Sequence, residues 1–151
     1  MWDFIRPTLV GCLLAAAVWT AAASGESTSQ ATRRTVAQGQ VIGLVEDNGS
    51  HVWLGLPFAK PPVDEFRWKA PRPPRPWPEV REAAQVAPAC VQYPSVLAPD
   101  GIGETPNEPV GDEDCLYLNV WAPPFVPDEL PEGTDRRPVM VWIYGGGNTI
   151  G

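Results

Sequence analysis

Residues 139–147 read Val-Met-Val-Trp-Ile-Tyr-Gly-Gly-Gly, and this stretch decides the fold. The six apolar residues Val139–Tyr144 lack polar alternation, which predicts a strand buried on both faces. Such a strand needs layers above and below it, usually helices, so the sequence predicts an α/β architecture. No other stretch predicts a helix of ten or more residues to supply those layers. We therefore expect an incomplete α/β domain that stops just after a core strand.

Three glycines, Gly145–Gly147, follow the predicted strand directly. One explanation is a generic flexible turn. A phosphate-binding loop fits poorly, because neither G-x-x-x-x-G-K-[ST] nor G-x-G-x-x-G is present. The third explanation is an oxyanion hole, in which glycines let successive backbone N–H groups converge on one substrate oxygen.

Outward from this stretch, the alternating segments predict further strands. Residues 116–122 (LYLNVWA) form the second clear strand, and residues 35–46 and 50–54 flank Asp47-Asn48-Gly49 as a β-hairpin. Asn48-Gly49-Ser50 also matches a glycosylation sequon, although the tight turn is the first interpretation.

The stretch from Pro57 to Pro109 contains 13 prolines, and only residues 79–86 are compatible with a short helix. We expect an ordered wrap over a surface, with its aromatic side chains buried. These aromatics are Phe58, Phe66, Trp68 and Trp77. Residues 100–114 carry six acids and no base, which predicts a solvated loop face; a cation-attracting rim is the alternative.

Composition excludes several classes of function. Lys and Arg total 11 against 18 for Asp and Glu, and a net charge of -7 argues against nucleic-acid binding. No apolar run reaches the roughly 20 residues that span a bilayer. One histidine and no C-x-x-C predict no metal site. The 19 prolines argue against a helical bundle.

The N-terminus predicts an exported protein. Residues 1–23 have the layout of a signal peptide, with cleavage expected after Ala23, and residues 24–34 predict a flexible mature N-terminus. Cleavage would remove Cys12 and leave Cys90 and Cys115, which we expect to form a disulfide in a secreted or periplasmic protein.

Four ordered motifs resemble one family. Residues 113–123 (EDCLYLNVWAP) are similar to the second signature of type-B carboxylesterases, the cholinesterase-like family. Residues 55–62 (GLPFAKPP), Phe66-Arg67-Trp68 with Trp77, and residues 139–147 resemble its other landmarks in the same order. The resemblance implies that residues 35–151 are the N-terminal portion of an α/β-hydrolase fold, with early, largely antiparallel strands and Pro-rich loops.

The resemblance also implies roles for individual residues. Gly146 and Gly147 would donate backbone N–H groups to the oxyanion, and Gly145 would set the turn. Cys90 and Cys115 would form the family's first disulfide. Structural roles are expected for the remaining signature and strand residues: Glu113 and Asn119 as hydrogen-bonding groups near the disulfide, and Trp121 and Trp142 as core packing.

Some positions depart from the family pattern. Asp64 replaces a frequent Gly, Trp68 a frequent Phe, and Asn148 an aromatic residue that often follows the glycines. No Trp occurs between Cys90 and Cys115, which removes a cation–π anchor for choline and argues against choline ester specificity.

The sequence contains no G-x-S-x-G, and its one histidine, His51, is expected to be a surface or satisfied strand residue. The leading hypothesis is an exported serine esterase that acts on small carboxylic esters without a cofactor, with its catalytic Ser, acid and His beyond Gly151. On this hypothesis residues 1–151 alone are inactive. The alternatives are a catalytically inactive adhesion or recognition relative, and a non-functional truncated product.

Overall fold

The computed structural model describes residues 29–94 and 108–146, which contain six strands, three short 3₁₀ helices and a helical turn at residues 29–31. The strands are β1 (Arg34–Val36), β2 (Gly39–Ile42), β3 (Leu44–Val45), β4 (His51–Pro57), β5 (Arg81–Glu82) and β6 (Tyr117–Ala122). The 3₁₀ helices are Asp64–Phe66, Pro127–Glu129 and Gly133–Asp135. Within these two ranges, no helix is long and apolar enough to cross a membrane.

The strands form two three-stranded sheets, in the orders β1-β2-β5 and β3-β4-β6. The β2–β5 pair is parallel and the other pairs are antiparallel, which agrees with the expected early, largely antiparallel strands. The chain passes between the sheets at Gly43. A Cβ atom there would lie 2.1 Å from the carbonyl oxygen of Val52, so this close crossing requires glycine.

The predicted hairpin at residues 47–49 is confirmed. The N–H of Gly49 donates to the carbonyl of Glu46, and the side-chain oxygen of Asn48 accepts from the N–H of Ser50. Gly49 has a φ of 85°, which the tight turn requires and glycine provides at low cost. Residues 35–46 hold more structure than predicted, since β1 and β2 form a separate hairpin there.

The core lies where the two sheets meet. Val41 of β2, Trp53 of β4 and Ala83 are buried against one another, and Leu56 and Trp77 pack against them. Backbone hydrogen bonds join both sheets through Ala83, whose N–H donates to Ile42 and whose carbonyl accepts from Leu54.

The short helix with which residues 79–86 were compatible is not formed. This segment instead contains β5, which pairs in parallel with β2. Its backbone groups bond to two neighbouring strands, and these long-range bonds replace the local ones that a helix would make.

The expected burial of the four wrap aromatics is correct for two of them. Phe66 and Trp77 are half-buried, whereas Phe58 is exposed and Trp68 is 97% exposed. Trp68 lies in the turn after the first 3₁₀ helix and has a φ of 58°, and its indole lies outside the core.

Residues 139–144 do not form the predicted buried strand. Their side chains are 64–92% exposed, and the backbone is irregular. The prediction assumed neighbours on both faces, and no strand in residues 29–94 or 108–146 pairs with this segment.

The two tryptophans expected in the core are also exposed. Trp142 lies in the unpaired segment, and Trp121 lies on the outer face of β6. The indole N–H of Trp121 donates to the carboxylate of Glu46 at 3.2 Å, so its fixed partner is a polar group on the hairpin.

Candidate functional site

The glycine run follows the exposed segment 139–144. Gly146 has a φ of 132°, a conformation that residues with a side chain rarely adopt. A Cβ atom added at Gly145 would meet no atom within 4 Å among the described residues, so the backbone is open to approach there. Gly147 and Asn148 lie outside the described residues.

The connection from β6 to the glycines is anchored at Phe125. The guanidinium of Arg34 in β1 donates to the Phe125 carbonyl, and the guanidinium of Arg137 lies 6.0 Å from the centre of its ring. Arg34 also donates to the carbonyls of Ala31 and Arg33. The start of this connection is therefore tied to the N-terminal strand.

The predicted disulfide is present. Cys90 and Cys115 are bonded, with their Cα atoms 5.0 Å apart. Beside it, the backbones of Gln92 and Val110 exchange two hydrogen bonds. Gly111 has a φ of 96°, and a Cβ atom there would lie 2.5 Å from the carbonyl oxygen of Ala89, so the two chain segments approach closely.

The described acids of the 100–114 segment remain accessible to solvent, and two of them also make specific contacts. Glu113 forms an ion pair with Arg67 at 2.7 Å, and Asp112 accepts from the backbone N–H of Asp114. Glu113 therefore has a structural role through an ion pair, not through the expected bond to the backbone. Residues 100–107 lie outside the described residues.

The phenol of Tyr117 lies near charged groups. Burial, together with its hydrogen bond to Asp114, raises the pKa of Tyr117, while Arg81 lowers it by a smaller amount. The net effect keeps the phenol protonated, so it acts as a hydrogen-bond donor to the carboxylate.

Asn119 has the structural role that was predicted. β4 and β6 pair with a register shift between Trp53 and Leu56, and this irregularity leaves the N–H of Gly55 without a partner in the ladder. The side-chain oxygen of Asn119 accepts from that N–H at 2.9 Å. The signature residue thus completes the strand pairing.

His51 was expected to be either a surface residue or a satisfied strand residue. It is a strand residue and is only 3% exposed. Its Nδ1 lies 3.5 Å from Nη2 of Arg34. Burial and the Arg34 charge lower the pKa of His51, and a hydrogen bond to the Phe125 carbonyl partly opposes them. This environment is structural, and the ring lies in β4, far along the chain from the glycines.

A cavity of about 500 Å³ lies beside the Pro-rich wrap. Three cations line it, and two carboxylates offset most of their charge. The charged lining residues are Lys60, Asp64, Glu65, Arg75 and Arg81. Neither Gly145 nor Gly146 lines this cavity. In the described part of the chain, no group of three or more His, Cys, Asp or Glu side chains could hold a metal.

Sequence reasoning missed the role of Arg34. The residue followed a polar stretch without apolar periodicity, so nothing local distinguished it from a solvated arginine. The strand at residues 116–122 and the position of His51 could be predicted from the sequence. That Arg34 and His51 both contact the carbonyl of Phe125 depends on the order of the strands in the sheets.

Comparison with known proteins gives one consistent result. Residues 30–151 match the family model described as the carboxylesterase family. The chain is 44% identical over 117 residues to the para-nitrobenzyl esterase of Bacillus subtilis (strain 168), covering 78% of this chain and 22% of the relative. It is also 44% identical to the acetylcholinesterase of Electrophorus electricus, covering 72% and 17% respectively.

Solved structures agree. A thermophilic pNB esterase matches with a TM-score of 0.63 and 41% identity, covering 80% of this chain and 23% of that one. These neighbours have the α/β-hydrolase fold, which confirms the expected fold class. The chain spans about a fifth of the length of the curated relatives named above.

Proposed function

The chain belongs to the carboxylesterase family, and from this membership we propose that the protein hydrolyses small carboxylic esters with Gly145–Gly147 as its oxyanion loop. The observation that carries the proposal is the family match over residues 30–151, which includes the glycine run. The unusual φ of Gly146 and the open backbone at Gly145 support it, because oxyanion donors need close approach of a substrate oxygen.

The proposed chemistry is acyl transfer to an activated serine. A tetrahedral intermediate forms when the hydroxyl oxygen attacks the ester carbonyl, and its negative oxygen accepts from the N–H groups of Gly146 and Gly147. The alcohol leaves, and water then releases the acid. The nucleophile, the acid and the base would lie outside residues 1–151, since His51 is occupied by Arg34.

The test is Gly146→Ala in the intact enzyme, assayed on p-nitrophenyl butyrate. An added Cβ at this φ displaces the N–H groups, so kcat should fall by about 10²–10³-fold with little change in KM. Gly133→Ala is the control, because Gly133 also has a positive φ but begins the third 3₁₀ helix, before residues 139–144.

Two results would reject this proposal. Equal losses in the two variants would show that the glycine at 146 acts through stability alone. Absence of ester hydrolysis in the unsubstituted protein would favour the recognition role, which has no need for oxyanion donors.

For substrate class, we propose neutral esters rather than choline esters. One curated relative is an acetylcholinesterase, but no Trp lies between Cys90 and Cys115 to hold a quaternary ammonium by cation–π attraction. Comparing kcat/KM for butyrylcholine and its uncharged isostere 3,3-dimethylbutyl butyrate would decide; a preference for the choline ester would contradict the proposal.

We also propose export, with residues 1–23 removed. The Cys90–Cys115 disulfide supports this, since such bonds persist in oxidising compartments. The mass of the mature N-terminus would test the cleavage, and an intact Met1 would refute it.

A further inference from the structure

The side chain of Arg34 lies beside His51 and is fixed by several contacts. Its guanidinium lies 5.0 Å above the centre of the Trp53 ring and donates to the carbonyls of Ala31, Arg33 and Phe125. Trp53 is itself fixed, because its indole N–H donates to the carbonyl of Thr32 at 2.9 Å. The cation therefore cannot move away from its neighbours without breaking several contacts.

Nδ1 of the His51 ring lies 3.5 Å from Nη2 of Arg34. Arg can only donate hydrogen bonds, so this contact suits a neutral ring whose Nδ1 accepts. A second proton on the ring places two cations in contact, and the hydrogen bond to the Phe125 carbonyl offsets only part of that cost.

No described carboxylate offsets that charge. Opposite His51, the pairing strands place Val45 of β3 and Ala122 of β6, which are apolar. Trp53 lies edge-on to the ring. Glu46, the acid next to Val45, accepts from Trp121. Among the described residues, Arg34 is the charged group that acts on His51.

The contact also joins two parts of the chain. Arg34 lies in β1, whereas Phe125 begins the connection that leads from β6 to the glycine run. We propose that the Arg34–His51 pair is an acid-sensitive clamp, which opens when His51 takes up a proton and so frees the start of that connection from β1.

The direction of the pH effect follows from the lowered pKa. The folded state disfavours the protonated ring, so the clamp is fully closed above the ordinary histidine pKa of about 6.5. As pH falls below that value toward the folded pKa, the equilibrium shifts toward the open form by up to about tenfold per pH unit.

The experiment measures hydrogen exchange of the intact protein at pH 7.5 and 5.5, corrected for intrinsic rates. In the unsubstituted protein, the backbone N–H groups of residues 31–36, 125 and 126 should lose protection at the lower pH, by up to about tenfold. In His51→Gln, which cannot take up a proton, the loss should largely disappear. An equal loss in this variant overturns the proposal.

A second pair of variants covers a failure of His51→Gln to fold. Arg34→Gln keeps a donor near Phe125 but removes the charge, so the acid-induced loss should shrink. Arg33→Gln is the control: Arg33 also carries a cation one residue away, but its guanidinium bonds the Gln40 side chain. Equal responses in the two arginine variants would overturn the proposal. None of these measurements requires ester hydrolysis.

Discussion

At the scale of single residues, a side-chain polar atom supplies a hydrogen bond that the irregular strand pairing lacks. Asn119 serves the N–H of Gly55 at the β-bulge, and a Cβ at Gly55 would lie 2.5 Å from the carbonyl oxygen of Gln85. Gly55 is buried and the bond is partly buried, so losing the Asn119 acceptor would leave this N–H poorly satisfied. An unsatisfied buried donor costs more than a typical hydrogen bond stabilises.

Asn119→Ala should therefore lower the free energy of unfolding by about 1–3 kcal/mol. Asn119→Asp keeps an acceptor oxygen at the same distance and should retain most of the stability. Urea denaturation of the intact protein measures both. If Ala and Asp behaved alike, the side-chain acceptor would not be what stabilises the bulge.

The residue roles show what a motif can predict. The disulfide was predictable because cleavage after Ala23 would leave only Cys90 and Cys115, and the structural role of Asn119 was predictable because the signature contains it. The Glu113–Arg67 ion pair was not, because Arg67 lies on the Pro-rich wrap and its distance to the signature depends on the fold. Gly147 stays a prediction, since it lies outside the described residues.

At the scale of elements, Trp77 connects the Pro-rich wrap to the β1-β2-β5 sheet. The indole N–H of Trp77 donates to the carbonyl of Gln40, and its backbone N–H donates to Gln38. Arg81 lies 5.5 Å from the ring centre. One side chain thereby connects the wrap to the β1–β2 hairpin and to β5.

Trp77→Phe removes the indole donor and part of the packing, and it should lower the free energy of unfolding by about 1–2 kcal/mol. Trp68→Phe is the matched control: Trp68 is almost fully exposed, so its effect should stay within about 0.5 kcal/mol. Thermal melts of the two variants compare their losses of stability. A larger loss of stability for Trp68→Phe would mean that the Trp68 ring is buried in the intact protein.

Elements with alternating apolar and polar residues were predictable from the sequence. Elements that depend on pairing with distant parts of the chain were not. The hairpin at Asn48-Gly49 and β6 carry their signals within a few residues. β5 has two residues and exists because β2 pairs with it. The predicted strand at residues 139–144 fails for the same reason, since a buried strand needs partners.

At the scale of the whole molecule, a small core accompanies a large exposed apolar segment. The buried apolar residues of the described chain are Val41, Val52, Trp53, Ala59 and Ala83, and all six side chains of residues 139–144 are exposed. Exposed apolar surface of this kind favours association over a stable monomer.

A protein limited to residues 24–151 should therefore aggregate or bind a hydrophobic dye, and it should lack a cooperative thermal transition. Differential scanning calorimetry with light scattering measures both properties. A sharp, reversible melt of a monomer would contradict the prediction. Val141→Lys with Ile143→Lys is a useful companion, since reduced aggregation would identify the segment as its cause.

The backbone bonds between Gln92 and Val110, together with the neighbouring disulfide, hold the two ends of the intervening stretch at a fixed separation. A change in the number of residues between Gln92 and Val110 therefore need not alter how these two ends are paired. For protein engineering, this pairing marks a position where a segment of another length can be inserted while its two ends stay joined.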